Sequence, residues 1–299
     1  MLISVIIPHL NQEHYLEVGL RALHSQRGVS SEVEIIVVDN GSARPPKAVC
    51  SGWPRVRLIS EPTPGPGPAR NRGIREARGD ILAFIDADCR ADPGWLAAIQ
   101  TALANGETRI IGGDVRVGYE RPGRPTFLEP YESIYSYRNS EHIAEGFSGT
   151  GNLATLPSVV AEIGPFAGID VAEDRDWGLR ARAAGYTIRY VPEMIVFHPA
   201  RKTFAELTRK WDRHIAHDYQ RIRLRPRGTL RWLTRAVGVA GSPLFELRTI
   251  LLSPRVSGPR ERILALLCLT AIRLYRGARM IGVLLQGDAK RFSGEWNRV

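Results

Sequence analysis

Three short apolar runs near the start of the chain each stop abruptly at a polar or rigid group. Leu2–Ile7 stops at Pro8, Val33–Val38 at Asp39, and Ile81–Ile85 at Asp86-Ala87-Asp88. Near-continuous apolar runs this short, without polar alternation, belong to strands covered on both faces, hence to a parallel sheet flanked by helices. The intervening text agrees. Tyr15, Leu16, Leu20 and Leu23 recur at helical spacing, Val56–Ile59 reads as another strand, and Ala69–Ala77 as a helix behind the Gly/Pro loop Pro62–Pro68. Pro93 is predicted at the first position of the next helix. The β-α-β-α-β order predicts an α/β fold with a doubly wound, mostly parallel sheet. Such sheets bind ligands beyond the carboxyl ends of their strands, where Pro8, Asp39, Asp86 and Asp88 converge.

Downstream, Arg109–Val117 reads as a strand, 127–144 as an aromatic helix, and Gly146–Asn152 as a Gly-rich stretch. A helix opens with Glu173-Asp174-Arg175-Asp176, and Thr187–Val191 is a further strand. The rear has three helical segments: one carrying Phe204, Leu207, Trp211, Ile215 and Ile222, then 229–252 and 260–286. The expected organisation is a catalytic domain over 1–220, with a nucleotide-binding half (1–108) and an acceptor half (109–220), then a basic helical extension over 221–299.

Charge separates the same regions. From Arg201 onward there are 21 Lys+Arg and 7 Asp+Glu, a net of +14, whereas residues 1–199 carry 20 and 24, a net of −4. A strongly basic rear suits a polyanion, either nucleic acid or an anionic membrane surface. No recognised nucleic-acid motif accompanies it, so no nucleic-acid partner is expected. The best candidate for a membrane span, Ile263–Ile272, is ten residues long and too short to cross. Met1 leads straight into the first apolar run without a charged leader, and Cys50, Cys89 and Cys268 share no metal or redox spacing. A cytoplasmic protein is expected.

Paired carboxylates at i, i+2 after a buried strand, Asp86 and Asp88, are costly unless compensated, and they can present oxygens to one hard divalent cation. Asp39 can accept a hydrogen bond from a nucleobase N–H or close an Asx turn. The Pro/Gly loop leading to Arg70 and Asn71 can hold anions on free backbone N–H groups, but its glycines lack dinucleotide-fingerprint spacing, which weakens a dehydrogenase reading. Glu173, Asp174 and Asp176 either favour a helix start, with Asp176 paired to Arg180, or leave one carboxylate free as a general base. His198 can complete a metal shell or pack as an ordinary histidine.

In order, Ser4-Val-Ile-Ile-Pro8-His-Leu-Asn11, Glu34-Ile-Ile-Val-Val-Asp39-Asn-Gly-Ser42, Gly67-Pro-Ala-Arg70-Asn71-Arg-Gly73, Ile81-Leu-Ala-Phe-Ile-Asp86-Ala-Asp88 and Glu173-Asp174-Arg-Asp176-Trp177 resemble the motifs of family 2 glycosyltransferases with the GT-A fold, over about residues 1–220. The resemblance implies an inverting transfer of sugar from a nucleoside-diphosphate donor, with UDP the expected nucleotide. It implies Pro8, Asn11 and Asp39 at the nucleoside, Arg70 at the base, and Asp86 and Asp88 at the ribose and at Mg²⁺ or Mn²⁺, with His198 as a further metal ligand. Asp174 is implied as general base, with Gly149, Asn152, Glu173 and Trp177 on the acceptor side. Two departures stand out. Leu10 replaces a family tyrosine near the base, and Thr208-Arg209-Lys210-Trp211 lacks the Gln and spacing of the processive synthases, so single-sugar transfer is expected. The expected acceptor is a lipid-linked or cell-envelope glycan. The rival readings are a nucleotidyltransferase acting on a sugar phosphate and a non-enzymatic nucleic-acid binder.

Outside the resemblance, Arg262, Arg273 and Arg276 fall within about 60° of one another on a helical wheel. That pattern predicts either an interfacial helix with arginines turned to the lipid headgroups, placing the protein peripherally on the inner face of a cell membrane, or a helix packed on the catalytic domain or a dimer partner with snorkelling arginines.

Overall fold

The computed structural model describes residues 1–121 and 123–286. The described residues form an eight-stranded sheet from β1 (Leu2–His9), β2 (Glu32–Asp39), β3 (Val56–Ser60), β4 (Ile81–Ile85), β5 (Arg90–Ala91), β6 (Ile110–Gly118), β7 (Asn152–Thr155) and β8 (Ile188–Pro199), in the order β3-β2-β1-β4-β7-β6-β8-β5. β1 to β4 pair in parallel, as does β6 with β8, whereas β7 runs antiparallel between β4 and β6 and β5 antiparallel at the β8 edge. The register sets His9 beside Asp39 and Asp39 beside Ser60. Three strands therefore deliver their carboxyl ends to one line.

The helices around this sheet are α1 (Glu13–His24), α2 (Lys47–Ser51), α3 (Pro66–Glu76) and α4 (Trp95–Leu103). After α5 (Glu129–Tyr135) come α6 (Asn139–Glu145), α7 (Pro157–Ile163) and α8 (Glu173–Ala183). Strand periodicity of two sorts the core. Ile3, Val5 and Ile7 pack with Leu16, Leu20 and Trp95 on one face, and Ile6, Leu82 and Phe84 with Phe166 and Trp177 on the other.

The chain divides into two compact units: Met1–Gly118 with Arg138–Pro199, and Tyr119–Tyr137 with the chain from Ala200. The second contains α5, α9 (Phe204–Arg223), α10 (Gly228–Gly241), the 3₁₀ turn Ser242–Phe245, α11 (Leu247–Leu252) and α12 (Gly258–Gln286). The expected boundary at 220 falls inside α9. That helix starts at an N-cap, in which the Thr203 hydroxyl oxygen accepts from the Glu206 N–H at 3.2 Å. Its buried residues Leu207, Ile215 and Tyr219 belong to the cores of the helical unit, so the division lies before it.

Other expectations shift for local reasons. The helix predicted from Pro93 begins at Trp95, because Asp92 Oδ1 accepts from the Gly94 N–H at 3.0 Å and holds Pro93 in a turn. The aromatic segment splits into α5 and α6. β8 continues past Val191 to Pro199, with a register irregularity opposite Gly113/Asp114 that absorbs Pro192, Glu193 and Met194.

The arginine face of α12 is the reverse of the interfacial arrangement. Arg276 is 9% exposed, its guanidinium 3.5 Å above the Trp211 ring. Arg262 donates to the carbonyls of Leu251 and Gly258, and Arg273 approaches Glu246 at 3.8 Å. The exposed side of the helix is instead apolar: Ile263, Leu267, Leu274, Ile281 and Leu285. The Trp211 indole face, the Leu251 carbonyl and Glu246 give these guanidinium groups partners within the unit.

Candidate active site

At the ends of β1 and β2, His9 is fully buried and accepts the Gln12 backbone N–H on Nε2 at 3.2 Å. This assigns the ring proton to Nδ1, which donates to Asp39 Oδ1 at 3.2 Å. Ser42 Oγ lies 3.3 Å from the same nitrogen. Asn11, at φ +53°, latches the two loops: its N–H donates to Ser42 Oγ at 2.8 Å and its Oδ1 accepts from Ala43 at 2.9 Å. Pro8 is half-buried at the strand end beside them.

The Gly/Pro loop delivers Arg70 to the centre of the site. Gly65 takes φ +119°, a conformation suited to glycine, and the helix starts at Pro66. Arg70, 3% exposed, donates from Nη2 to Asp86 Oδ1 at 2.7 Å and from Nη1 to Glu173 Oε1 at 2.8 Å. Asn71 straps α3 to the segment before α8 by two bonds with the Phe166 backbone, at 2.8 and 2.9 Å. Gly151 is required beside Asp86, since a Cβ there would lie 2.5 Å from Asp86 Oδ2.

Asp88 Oδ2 stands 3.3 Å from His198 Nε2. The other nitrogen of His198, Nδ1, is 2.7 Å from the Pro199 carbonyl and donates to it, so Nε2 is the nitrogen that faces the carboxylate. Asp88 Oδ1 is buried with no hydrogen-bond partner among the described residues. Burial raises the Asp88 pKa, and neighbouring Asp86 raises it further, against the opposing pull of His198. Cys89 is the third member of this group, its ligand atom within 4.8 Å of the others. Burial holds its thiol protonated, well above the ordinary range, so it is a poor ligand for a hard cation.

Asp174 sits in the first turn of α8, next to Glu173. Burial raises its pKa and Glu173 adds to the rise, while the Arg175 N–H at 2.7 Å on Oδ1 and the Arg70 charge lower it. Asp176 is the structural acid of this turn, paired with Arg180 at 2.9 Å.

The structure thus brings together Asp86, Arg70, Glu173 and Asp174 in one linked set, Asp88 with His198, and Asp39 with Pro8 and Asn11. Two acceptor-side expectations are corrected. Trp177 is 1% exposed, stacks on Phe166 at 5.1 Å and donates to the Gly164 carbonyl at 3.1 Å, so it is core. Asn152 is fully buried and ties three elements together, donating to the Asp114 and Met194 carbonyls and accepting from Trp95 Nε1, each at 2.8 Å. Gly149 donates its N–H to Asn139 Oδ1 at 3.0 Å. Sequence reasoning missed His9; its position at a strand end, one residue past Pro8, was the available signal.

Residues 4–176 match the model for Glycosyl transferase family 2, more than half of the chain. The chain belongs to this family. It is 34% identical over 215 residues to glycosyltransferase AglE of Haloferax volcanii, covering 70% of each chain. Among solved structures, the mannosyltransferase PcManGT of Pyrobaculum calidifontis, in complex with GDP-Man and Mn²⁺, superposes with TM-score 0.55 at 18% identity, over 95% of this chain and 86% of that one. TarS residues 1–349 of S. aureus, in complex with UDP-GlcNAc, give 0.54 at 16% identity, over 96% and 93%. The family 2 glycosyltransferase therefore has the GT-A α/β fold. Its family match spans Asp39, Asp86, Asp88 and Asp174 and ends within α8, ahead of His198.

Proposed function

We propose that the enzyme moves a single sugar from a nucleoside-diphosphate sugar, with UDP as the expected nucleotide, to a hydroxyl acceptor with inversion at the anomeric carbon. The observation that carries this reading is the pair of hydrogen bonds that Arg70 donates, one to Asp86 and one to Glu173, which ties the donor-side acid to the turn bearing Asp174. Asp39, oriented by His9, accepts from a base N–H. Pro8 and Asn11 shape the loop beside it. Both Nη groups of Arg70 are occupied by carboxylates, so it acts by fixing Asp86 and Glu173. Asp174 is the general base: one oxygen is held by the Arg175 N–H, the other takes the proton from the acceptor hydroxyl, and its raised pKa makes it a better base. Gly149 and Glu173 border the acceptor side.

The partnerless Asp88 Oδ1, with His198 Nε2 3.3 Å from Asp88 Oδ2, fits a hard or borderline divalent cation. Asp88 and His198, with Asp86 beside them, would hold Mg²⁺ or Mn²⁺, which supplies positive charge for the departing diphosphate. The Mn²⁺ and nucleotide-sugar complexes of the structural neighbours support this assignment.

The acceptor is read as a lipid-linked or cell-envelope glycan, reached from the cytoplasmic face of a membrane with anionic lipids. Support comes from the helical unit, where Leu244 and Phe245 are 75% and 86% exposed. Val237, Leu251 and Leu252 are exposed as well, within a strongly basic sequence. Among the described residues no helix is long and apolar enough to cross a membrane.

Incubation with UDP-, GDP- and dTDP-sugars, with and without Mn²⁺, tests the reaction. Metal-dependent release of a nucleoside diphosphate is expected, with UDP donors turned over fastest. Formation of a nucleotide sugar and pyrophosphate from a nucleoside triphosphate and a sugar 1-phosphate, with no turnover of the nucleotide sugars, would instead establish a nucleotidyltransferase.

A further inference from the structure

In the helical unit, α9 and α12 bring two cations against one indole. The guanidinium of Arg276 lies 3.5 Å above the Trp211 ring, and Lys210 Nζ lies 5.9 Å from the same ring centroid. Tyr131 of α5 is packed in the same cluster, and His214, one turn beyond Lys210, has its ring 5.5 Å from Trp211. Arg276 is more than nine-tenths buried, and its Nε has no hydrogen-bond partner. Neither Arg276 nor Lys210 forms an ion pair or a side-chain hydrogen bond among the described residues.

Acids of this unit that could neutralise them have other partners. Glu132 holds Arg201, and Asp212 accepts from Tyr275 and Arg279. Asp218 pairs with Arg221 and Arg235, and Glu246 with Tyr135 and Arg273. Buried charge normally has a counter-ion in contact; here Glu132 and Asp218 act on half-buried Lys210 and buried Arg276 only through space, while bonded to other cations. Desolvation, reinforced by neighbouring cations, pushes Lys210 down to about 8 and Arg276 down to about 10.

We propose that Lys210 and Arg276, around Trp211, form a binding site for a phosphate-class oxyanion, independent of the nucleotide-sugar reading. A single carboxylate would be satisfied by the guanidinium fork alone. A tetrahedral phosphate has oxygens for a planar bidentate donor and for a separate point-charge ammonium, and its second negative charge matches the second cation. Every residue of the site belongs to the helical unit, whereas Asp86, Asp88 and Asp174 belong to the sheet unit. The phosphate could be free or carried on an amphiphile, and both would present the same group.

The test is thermal melting and calorimetry of the full chain in EDTA, so that metal-dependent diphosphate binding does not contribute. Inorganic phosphate should raise the Tm saturably. Lys210→Met should weaken that binding at least 10-fold while melting at or above wild type in phosphate-free buffer, because like-charge crowding is relieved. Arg276→Gln should also lose binding. Hexyl phosphate, below its micellar concentration, identifies the source: tighter binding than inorganic phosphate marks an amphiphile, equal binding a free anion. A wild-type protein that ignores both probes, or a Lys210→Met variant that binds them with unchanged affinity, overturns the site.

Discussion

The guanidinium of Arg70 meets Asp86 Oδ1 at 2.7 Å while its other arm is held by Glu173. One buried cation thereby joins the end of β4 to the start of α8. Removing it strands two carboxylates, and breaking a buried ion pair from one side costs about 3–5 kcal/mol. Arg70→Met should therefore lower the Tm by several degrees. Arg70→Lys, which keeps the charge but has no fork, should fold while losing about 10²-fold in kcat/KM. Calorimetric melting and donor turnover check both.

Asp174→Asn should leave donor affinity near wild type and lower kcat by about 10²-fold or more. The wild-type kcat/KM profile should fall on the acid side through a limb lying above the usual aspartate range, since burial raises this pKa, and the limb should vanish in the variant. The stability sign follows from linkage. A folded-state pKa above the unfolded value means that the native state binds the proton more readily. This group's contribution to stability therefore declines as pH rises from the unfolded toward the folded pKa, and Asp174→Asn should melt slightly higher at neutral pH.

Asp88→Asn or His198→Ala should abolish the Mn²⁺-enhanced binding of UDP while leaving metal-free binding unchanged, because a hard oxygen ligand or its nitrogen partner is lost. Titration of UDP with and without the metal, by calorimetry, reads this. Retention of the metal effect in both variants would show that neither residue is a ligand.

His9→Ala removes the donor that aims Asp39. A hydrogen bond to a charged group is worth about 1.5–3 kcal/mol, so the donor KM should rise about 10-fold or more with a smaller change in kcat. Comparing UDP with CDP donors should show reduced base discrimination, an effect that general destabilisation would not produce.

A Leu244→Ser/Phe245→Ser double variant should fold normally, since both side chains are exposed, yet sediment less with phosphatidylglycerol-containing vesicles than wild type does. Wild-type binding should weaken with salt without vanishing, because the apolar contribution is unscreened. Turnover of a soluble acceptor should be unchanged.

The sheet and most of the acids could be read directly from local pattern. A strand buried on both faces reads as a near-continuous apolar run, and Asp39, Asp86 and Asp88 announce themselves by ending such runs. Glu173 and Asp174 stood out similarly at a helix start. Orientation was not available from the chain alone. Trp177 and Asn152 follow the site motifs closely in sequence, but helix rotation and strand pairing point both inward, into aromatic packing and a carbonyl network. The His9–Asp39 bond depends on the β1–β2 register, which pairs residues far apart in the chain.

For α12, the sequence determined an amphipathic helix with arginines gathered on one side, because residue spacing and helical geometry are local. Which side is covered was decided by the tertiary structure. Trp211 takes Arg276 inward and Glu246 approaches Arg273, while Ile263, Leu267 and Leu274 are left exposed. The physical reason is that a helix face takes its character from its partner, and an indole offers a guanidinium a contact that offsets part of the cost of leaving water.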